Sequence, residues 1–154
     1  MRLYEGTIKE FKEEVLKNSI ADTISDKFKE YYKRKVNSSE FNSWNVSLRF
    51  LKDVLESSKL LRNRIILEYE LPYSERRIDA IVFGKDKEGN ENIVVIELKQ
   101  WSNDKVEDSK NEGNVIVDFG RFKKEHPHPS LQVQGYYYYL KDFMTLFEED
   151  KKVQ

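Results

Sequence analysis

The stretch Arg77-Ile78-Asp79-Ala80-Ile81-Val82-Phe83 is followed, after a polar segment, by Ile93-Val94-Val95-Ile96-Glu97-Leu98-Lys99. Both are apolar, β-branched runs of strand length. The segment between them, 84–92, contains Gly89-Asn90 and suits a turn. An antiparallel hairpin centred on Glu88 sets Phe83 opposite Ile93, Ile81 opposite Val95 and Asp79 opposite Glu97. Side chains alternate across a strand, so Asp79, Ile81, Phe83, Ile93, Val95, Glu97 and Lys99 share one face. Ile78, Ala80, Val82, Val94, Ile96 and Leu98 occupy the other. A slip of one residue would mix these sets, which pins the register.

The first face is apolar at its turn end and ionic at the far end. Carboxylates placed opposite each other lie about 5 Å apart at Cβ and repel. Burial and repulsion together raise a carboxyl pKa. A divalent cation between Asp79 and Glu97 removes that conflict, and magnesium favours such oxygen donors. Lys99 projects from the same face, where it can orient water or neutralise a phosphoryl oxygen. The simpler alternative is a strand-end salt bridge, Glu97 with Lys99 or Asp79 with Arg76 or Arg77.

Outward from the hairpin, Ile65 to Leu71 reads as a further strand, ended by Pro72. Before it, a helix starts near Asn37-Ser38-Ser39, with serine as a good cap and Glu40 in the first turn. It carries Phe41, Trp44, Leu48, Leu51 and Leu55 on one face and ends near Ser57-Ser58. The first 35 residues read as helix, from Ile8, Phe11, Val15, Ile20, Ile24 and Phe28, with an interruption at Asn18-Ser19. Tyr31-Tyr32-Lys33-Arg34-Lys35 is either a solvated helix end or a phosphate-contacting patch. Residues 100–130 read as a long polar connection containing one short strand, Val115 to Phe119. A last amphipathic helix runs from Ser130 to about Phe147.

The 154 residues suit one domain of ordinary size. Twenty-seven Lys and Arg against 28 Asp and Glu exclude a bulk polycation, so nucleic-acid binding would need local patches. The absence of cysteine excludes disulfide scaffolds, thiolate metal sites and cysteine nucleophiles. No apolar run is long enough to span a bilayer, and no signal-peptide pattern opens the chain, so a cytoplasmic protein without membrane contact is expected.

Arg77-Ile78-Asp79 followed by Val95-Ile96-Glu97-Leu98-Lys99 resembles the PD-(D/E)XK nuclease superfamily. Gln132 and Tyr136, one helical turn apart, resemble the Gln-x-x-x-Tyr motif of its exonuclease-like branch. A narrower resemblance rests on Ser43-Trp44, Ser47-Leu48, Glu70-Leu71-Pro72, Gln100-Trp101 and His128-Pro129-Ser130 with Gln132-Val133, together with the strand motifs. It points to a bacterial nuclease-like domain fused ahead of a helicase-like ATPase. The resemblance implies a restriction-endonuclease-like, three-layer α/β core: a central mixed sheet flanked by helices, ordered αβββα, with the final core strand unaccounted for. It makes residues 1–154 a single such domain, with 1–36 as an N-terminal helical extension, and suggests a fragment of a longer chain. It implies Mg²⁺ or Mn²⁺ held by Asp79, Glu97 and the Leu98 carbonyl, with Glu40 as an additional metal-side carboxylate. Lys99 would activate water, while Gln132 and Tyr136 would orient Lys99 or the substrate backbone. The implied substrate is DNA, less readily RNA, with a C-terminal ATPase or helicase domain as partner. A non-catalytic nucleic-acid-binding or docking module on the same fold is the alternative. Oligomeric state is not legible.

Other residues read less specifically. His126 and His128 alternate with prolines and suit helix entry better than a metal site, since no third nitrogen or sulfur ligand is near. The run Tyr136-Tyr137-Tyr138-Tyr139 cannot share one helix face, so some rings pack and others face bases or phosphates. Trp101 either walls the cleft or caps the core. Glu68 and Glu70 alternate on the first strand, and one of them could approach the metals.

Overall fold

The computed structural model describes residues 1–143. Its main sheet has four strands: β1 (Arg2–Thr7), β2 (Arg64–Glu70), β3 (Arg77–Lys85) and β4 (Glu91–Ile96), in the order β1-β2-β3-β4. Helices α1 (Ile8–Leu16), α2 (Ile20–Tyr32) and α3 (Ser38–Glu56) build the core on one face with Leu3, Ile65, Leu67, Ala80 and Val82. Helix α4 (Pro129–Phe143) places Tyr136 and Leu140 against Ile81 on the other. The result is the expected three-layer α/β arrangement. The sheet is not mixed, however: every strand pairing among the described residues is antiparallel.

The N-terminal segment is not wholly helical. Arg2–Thr7 pairs with β2 as an edge strand and buries Leu3 and Tyr4, so tertiary pairing overrides its weak local pattern. The helical stretch begins only after Thr7, which caps α1 through a reciprocal capping box with Glu10. The break at Asn18 is real, with φ at 56°. Helix α3 is capped by Asn37 rather than a serine: its side chain accepts from the Glu40 amide at 2.8 Å. At the end of α2, Lys33 is a left-handed cap and Arg34 lies 4.9 Å from the Phe28 ring centre.

The β3–β4 register is the expected one, with Phe83 opposite Ile93 and Ile81 opposite Val95. The ladder ends at Ala80 and Ile96, so Glu97, Leu98 and Lys99 leave strand geometry. The face assignment also changes at the ionic end. Leu67 and Ala80 pack under α1–α3, but Tyr69 and Ile78, two residues along each strand, pack on the α4 side. Between them Glu68 adopts φ of 51°, and neither Glu68 nor Asp79 takes part in the β2–β3 ladder. This left-handed residue interrupts the alternation on both strands, which sends Asp79 toward α3 instead of onto the face of Ile81 and Val95.

The segment expected as a long connection holds a second antiparallel sheet of β5 (Val106–Asp108), β6 (Asn114–Asp118) and β7 (Lys123–Pro127). The short strand expected near Val115 pairs with β5 and β7 and not with the main sheet. Glu125 anchors the new sheet by accepting from Ser109, Asn111 and Asn114. Expectations for 144–147 as helix, and for the charged stretch 148–152, fall outside the described residues. No helix among the described residues is long and apolar enough to cross a membrane.

Candidate active site

Helix α3, the irregular end of β2–β3 and the segment after β4 enclose a cavity of about 190 Å³, lined by Glu40, Trp44, Glu68, Arg77, Asp79 and Leu98 among others. Three carboxylates and one guanidinium thus meet in a partly apolar space. Arg77 ties two of the acids together. Its Nη2 donates to Glu40, and its Nη1 lies 3.2 Å from Glu68 Oε2 without hydrogen-bond geometry. Arg77 therefore does not pair with Asp79, as the salt-bridge alternative supposed.

Glu68 is the residue that sequence reasoning underweighted. It is only 8% exposed. Burial pushes its carboxyl up to about 7; Asp79 and Glu40 add to the rise, against Arg77 and Trp44. Its one advance signal was strand alternation, and that placed it no better than Glu70, because nothing in the local sequence marks a left-handed glutamate.

Asp79 is displaced in the same direction. Burial, then the charge of Glu97, push its carboxyl up to about 6. The Leu98 amide donates to Asp79 Oδ2 at 2.7 Å and partly offsets this. Glu97 has a side chain only 5% exposed and forms a salt bridge with Lys99. Its Oε2 is buried with no hydrogen-bond partner. An unmatched buried carboxylate oxygen is costly.

The remaining expected residues divide. Tyr136 is buried and its hydroxyl donates to the Arg77 carbonyl at 3.1 Å, two residues before Asp79. Burial, then Glu97 and Asp79, push the hydroxyl up to about 12, with Gln132 acting the other way by a hydrogen bond. Tyr136 thus holds the start of β3 from the α4 side, with Gln132 hydrogen-bonded to it, while the Lys99 ammonium is paired with Glu97. Glu40 lines the cavity but its carboxylate is engaged by Arg77. Glu97 and Lys99 lie outside that cavity's lining, and Lys99 instead borders a neighbouring one with Trp101 and His128. Among the described residues no three His, Asp or Glu side chains converge as a metal-ligand cluster. What converges is a pair of electrostatically coupled acids, Asp79 and Glu97, beside the Leu98 backbone.

Gln100 holds this segment in place. Its Nε2 donates to Ser43 O at 3.0 Å, Ser43 Oγ at 3.2 Å and Ser47 Oγ at 2.9 Å, fastening residues 97–100 to α3. The donor set fits a hard divalent ion. It consists of oxygens, it includes one carboxylate oxygen lacking any donor, and magnesium commonly takes only one or two carboxylates from a protein.

A family model described as NERD, nuclease-related domain, matches residues 26–154. The match starts within α2 and takes in every acid of the site, while β1 and α1 lie before it. No curated protein and no solved structure matches the chain.

Proposed function

The chain belongs to the nuclease-related domain family, and from that premise we propose that it is a metal-dependent phosphodiesterase acting on DNA. The observation that carries the proposal is the unmatched, buried Oε2 of Glu97 beside an Asp79 whose carboxyl is pushed up to about 6. A site built only for stability gains nothing from two coupled, desolvated acids. Asp79, Glu97 and the Leu98 carbonyl would hold Mg²⁺ or Mn²⁺. Once bound, the ion supplies Lewis-acid neutralisation of charge on the phosphoryl oxygens.

The chain's own groups do the rest. Asp79 is fixed by the Leu98 amide, so its free oxygen keeps one direction. Lys99 carries three donors on a flexible stem; released from Glu97, it hydrogen-bonds the attacking water or a non-bridging phosphate oxygen. Water oxygen bonds to phosphorus and its proton passes to solvent, the bridging P–O bond breaks, and the departing alkoxide takes up a proton from solvent. Tyr136 and Gln132 act as positioning residues behind β3. Glu40 stands as a charge on the cavity wall, held by Arg77.

The test compares wild type with Asp79→Asn and Lys99→Ala on single- and double-stranded DNA and on RNA, with Mg²⁺, Mn²⁺ or chelator. Metal-dependent cleavage of DNA that both substitutions abolish is the expected result. Mutant cleavage equal to wild type refutes this site. A non-catalytic nucleic-acid-holding module is the second reading, favoured by the closure of Lys99 on Glu97 and of Arg77 on Glu40. Binding without cleavage under every metal condition decides for it.

A further inference from the structure

The rings beyond Lys99 form a continuous path. Lys99 Nζ lies 5.4 Å from the Trp101 ring centre. Trp101 lies 5.3 Å from His126, His126 5.9 Å from Phe119, and Phe119 5.2 Å from Phe122. The last pair stacks at an interplanar angle of 29° on the tip of the β6–β7 hairpin. Gly120, with φ of 82°, makes that turn, and the Phe119 amide donates to the Phe122 carbonyl at 3.0 Å. Phe119 is 43% exposed and Phe122 59%. Between Lys99 and the second sheet lies a cavity of about 370 Å³, bordered by Trp101, Val106, Val115 and His128.

The charges that act on the His126 ring are the cations Lys124 and Lys99. Lys123 is paired with Glu107, and the Asp118 carboxylate accepts from the Gly120 amide. Glu125 is tied down by Ser109, Asn111 and Asn114. Arg121 and Lys124 form no ion pair among the described residues and are exposed. Two large exposed rings next to unpaired cations suit neither a hydrophobic core nor an apolar partner. They match nucleobases on a phosphate backbone.

We propose that Phe122, Phe119, His126 and Trp101 form a stacking track that leads one DNA strand from the hairpin tip to Lys99. This deepens the nuclease reading of the same site and rests on it. Unstacked bases lie on the rings while Arg121 and Lys124 follow the phosphates. A duplex, with its bases already stacked, gains only the phosphate contacts. The track therefore prefers single strands or frayed ends.

The test is fluorescence anisotropy in chelator, where cleavage cannot interfere, with labelled oligothymidylate and a duplex of equal length. Phe119→Ala with Phe122→Ala weakens single-strand binding by roughly five- to a hundredfold for each ring lost, the range seen for base–aromatic stacking. Duplex affinity stays within about twofold, since the phosphate term is untouched. Phe122→Tyr binds as wild type. Arg121→Ala with Lys124→Ala lowers the slope of log affinity against log salt by about 1.4 on single strands. Trp101 fluorescence is quenched by the oligonucleotide, and Trp101→Phe removes that signal. Wild-type single-strand affinity in the double-alanine variant, equal losses on both substrates, or no single-strand binding by wild type each overturn the track. Asp79→Asn reports separately on the nuclease reading: it loses cleavage and keeps track binding.

Discussion

Replacing Glu68 by glutamine is expected to stabilise the metal-free protein at alkaline pH. The carboxyl is buried and its pKa in the fold is about 7, against an ordinary 4.5. The folded state therefore binds the proton more tightly than the unfolded chain. The stability from this group is fully present below pH 4.5 and is lost as pH rises through 7. A displacement of that size, at ~1.36 kcal/mol per tenfold in proton affinity, costs about 3 kcal/mol once the group is ionised. Glutamine has nearly the same shape as the protonated acid and never ionises. Glu68→Gln is thus neutral near pH 4 and gains about 3 kcal/mol by pH 8, or roughly 6–12 °C in Tm for a chain of this length. The assay is thermal unfolding by circular dichroism in chelator at pH 4, 6 and 8. Wild type loses stability relative to the variant across that range, while the contribution of Asp79 fades in both proteins as pH rises through about 6. A variant no more stable than wild type at pH 8, with an unchanged pH slope, refutes the assignment of Glu68 as a strained, desolvated acid.

Other perturbations separate the supports of the site. Arg77→Met leaves Glu40 and Glu68 facing each other without their shared cation; urea unfolding at pH 8 is expected to show a loss of about 2–3 kcal/mol, below the figure for a wholly buried pair. Gln100→Leu removes three contacts to α3; it is expected to lower Tm by about 2–4 °C and to reduce DNA cleavage more than it reduces binding. Thr7→Ala breaks the capping box of α1 and is expected to cost about 1 kcal/mol in chemical unfolding with cleavage unchanged.

The hairpin was legible because its information is local. Alternation over 78–83 and 93–96 admits one register that keeps both faces apolar, and the observed pairs are those. The helix carrying Glu40 and Trp44 was legible for the same reason, through its periodic apolar face and polar cap. What failed was non-local. Arg2–Thr7 has too few apolar residues to announce a strand and is held by pairing with β2 across the length of three helices. Lys123–Pro127 opens with three charged residues and has no aliphatic side chain beyond Pro127; it becomes a strand because Val115 and Val117 in β6 supply the buried side. The choice of Arg77's partners was equally closed to inspection. Neighbouring Asp79 was the obvious candidate, but the guanidinium reaches across to helix α3 and strand β2.

The interruption at Glu68 and Asp79 is also what makes the site chemically plausible. Had the ladder run on regularly, Asp79 and Glu97 would face each other as a cross-strand acid pair, a destabilising arrangement. Instead pairing stops at Ala80 and Ile96, and the Asp79 side chain takes the Leu98 amide at 2.7 Å. A carboxylate replaces a backbone carbonyl as the acceptor for that amide. This frees residues 97–99 from the strand path while keeping them hydrogen-bonded, and Gln100 fastens the released segment to α3. The acids then stay coupled without direct opposition, as the influence of Glu97 on Asp79 records. Glu97 Oε2 is left without a donor at the point where β4 ends. Backbone strain at one glutamate, a side chain standing in for a ladder bond and an unmatched carboxylate oxygen lie within a few residues of one another. Each costs stability alone. Their coincidence follows if this end of the sheet is shaped by the need to hold a charged ligand at two acids, and stability alone gives no reason for it.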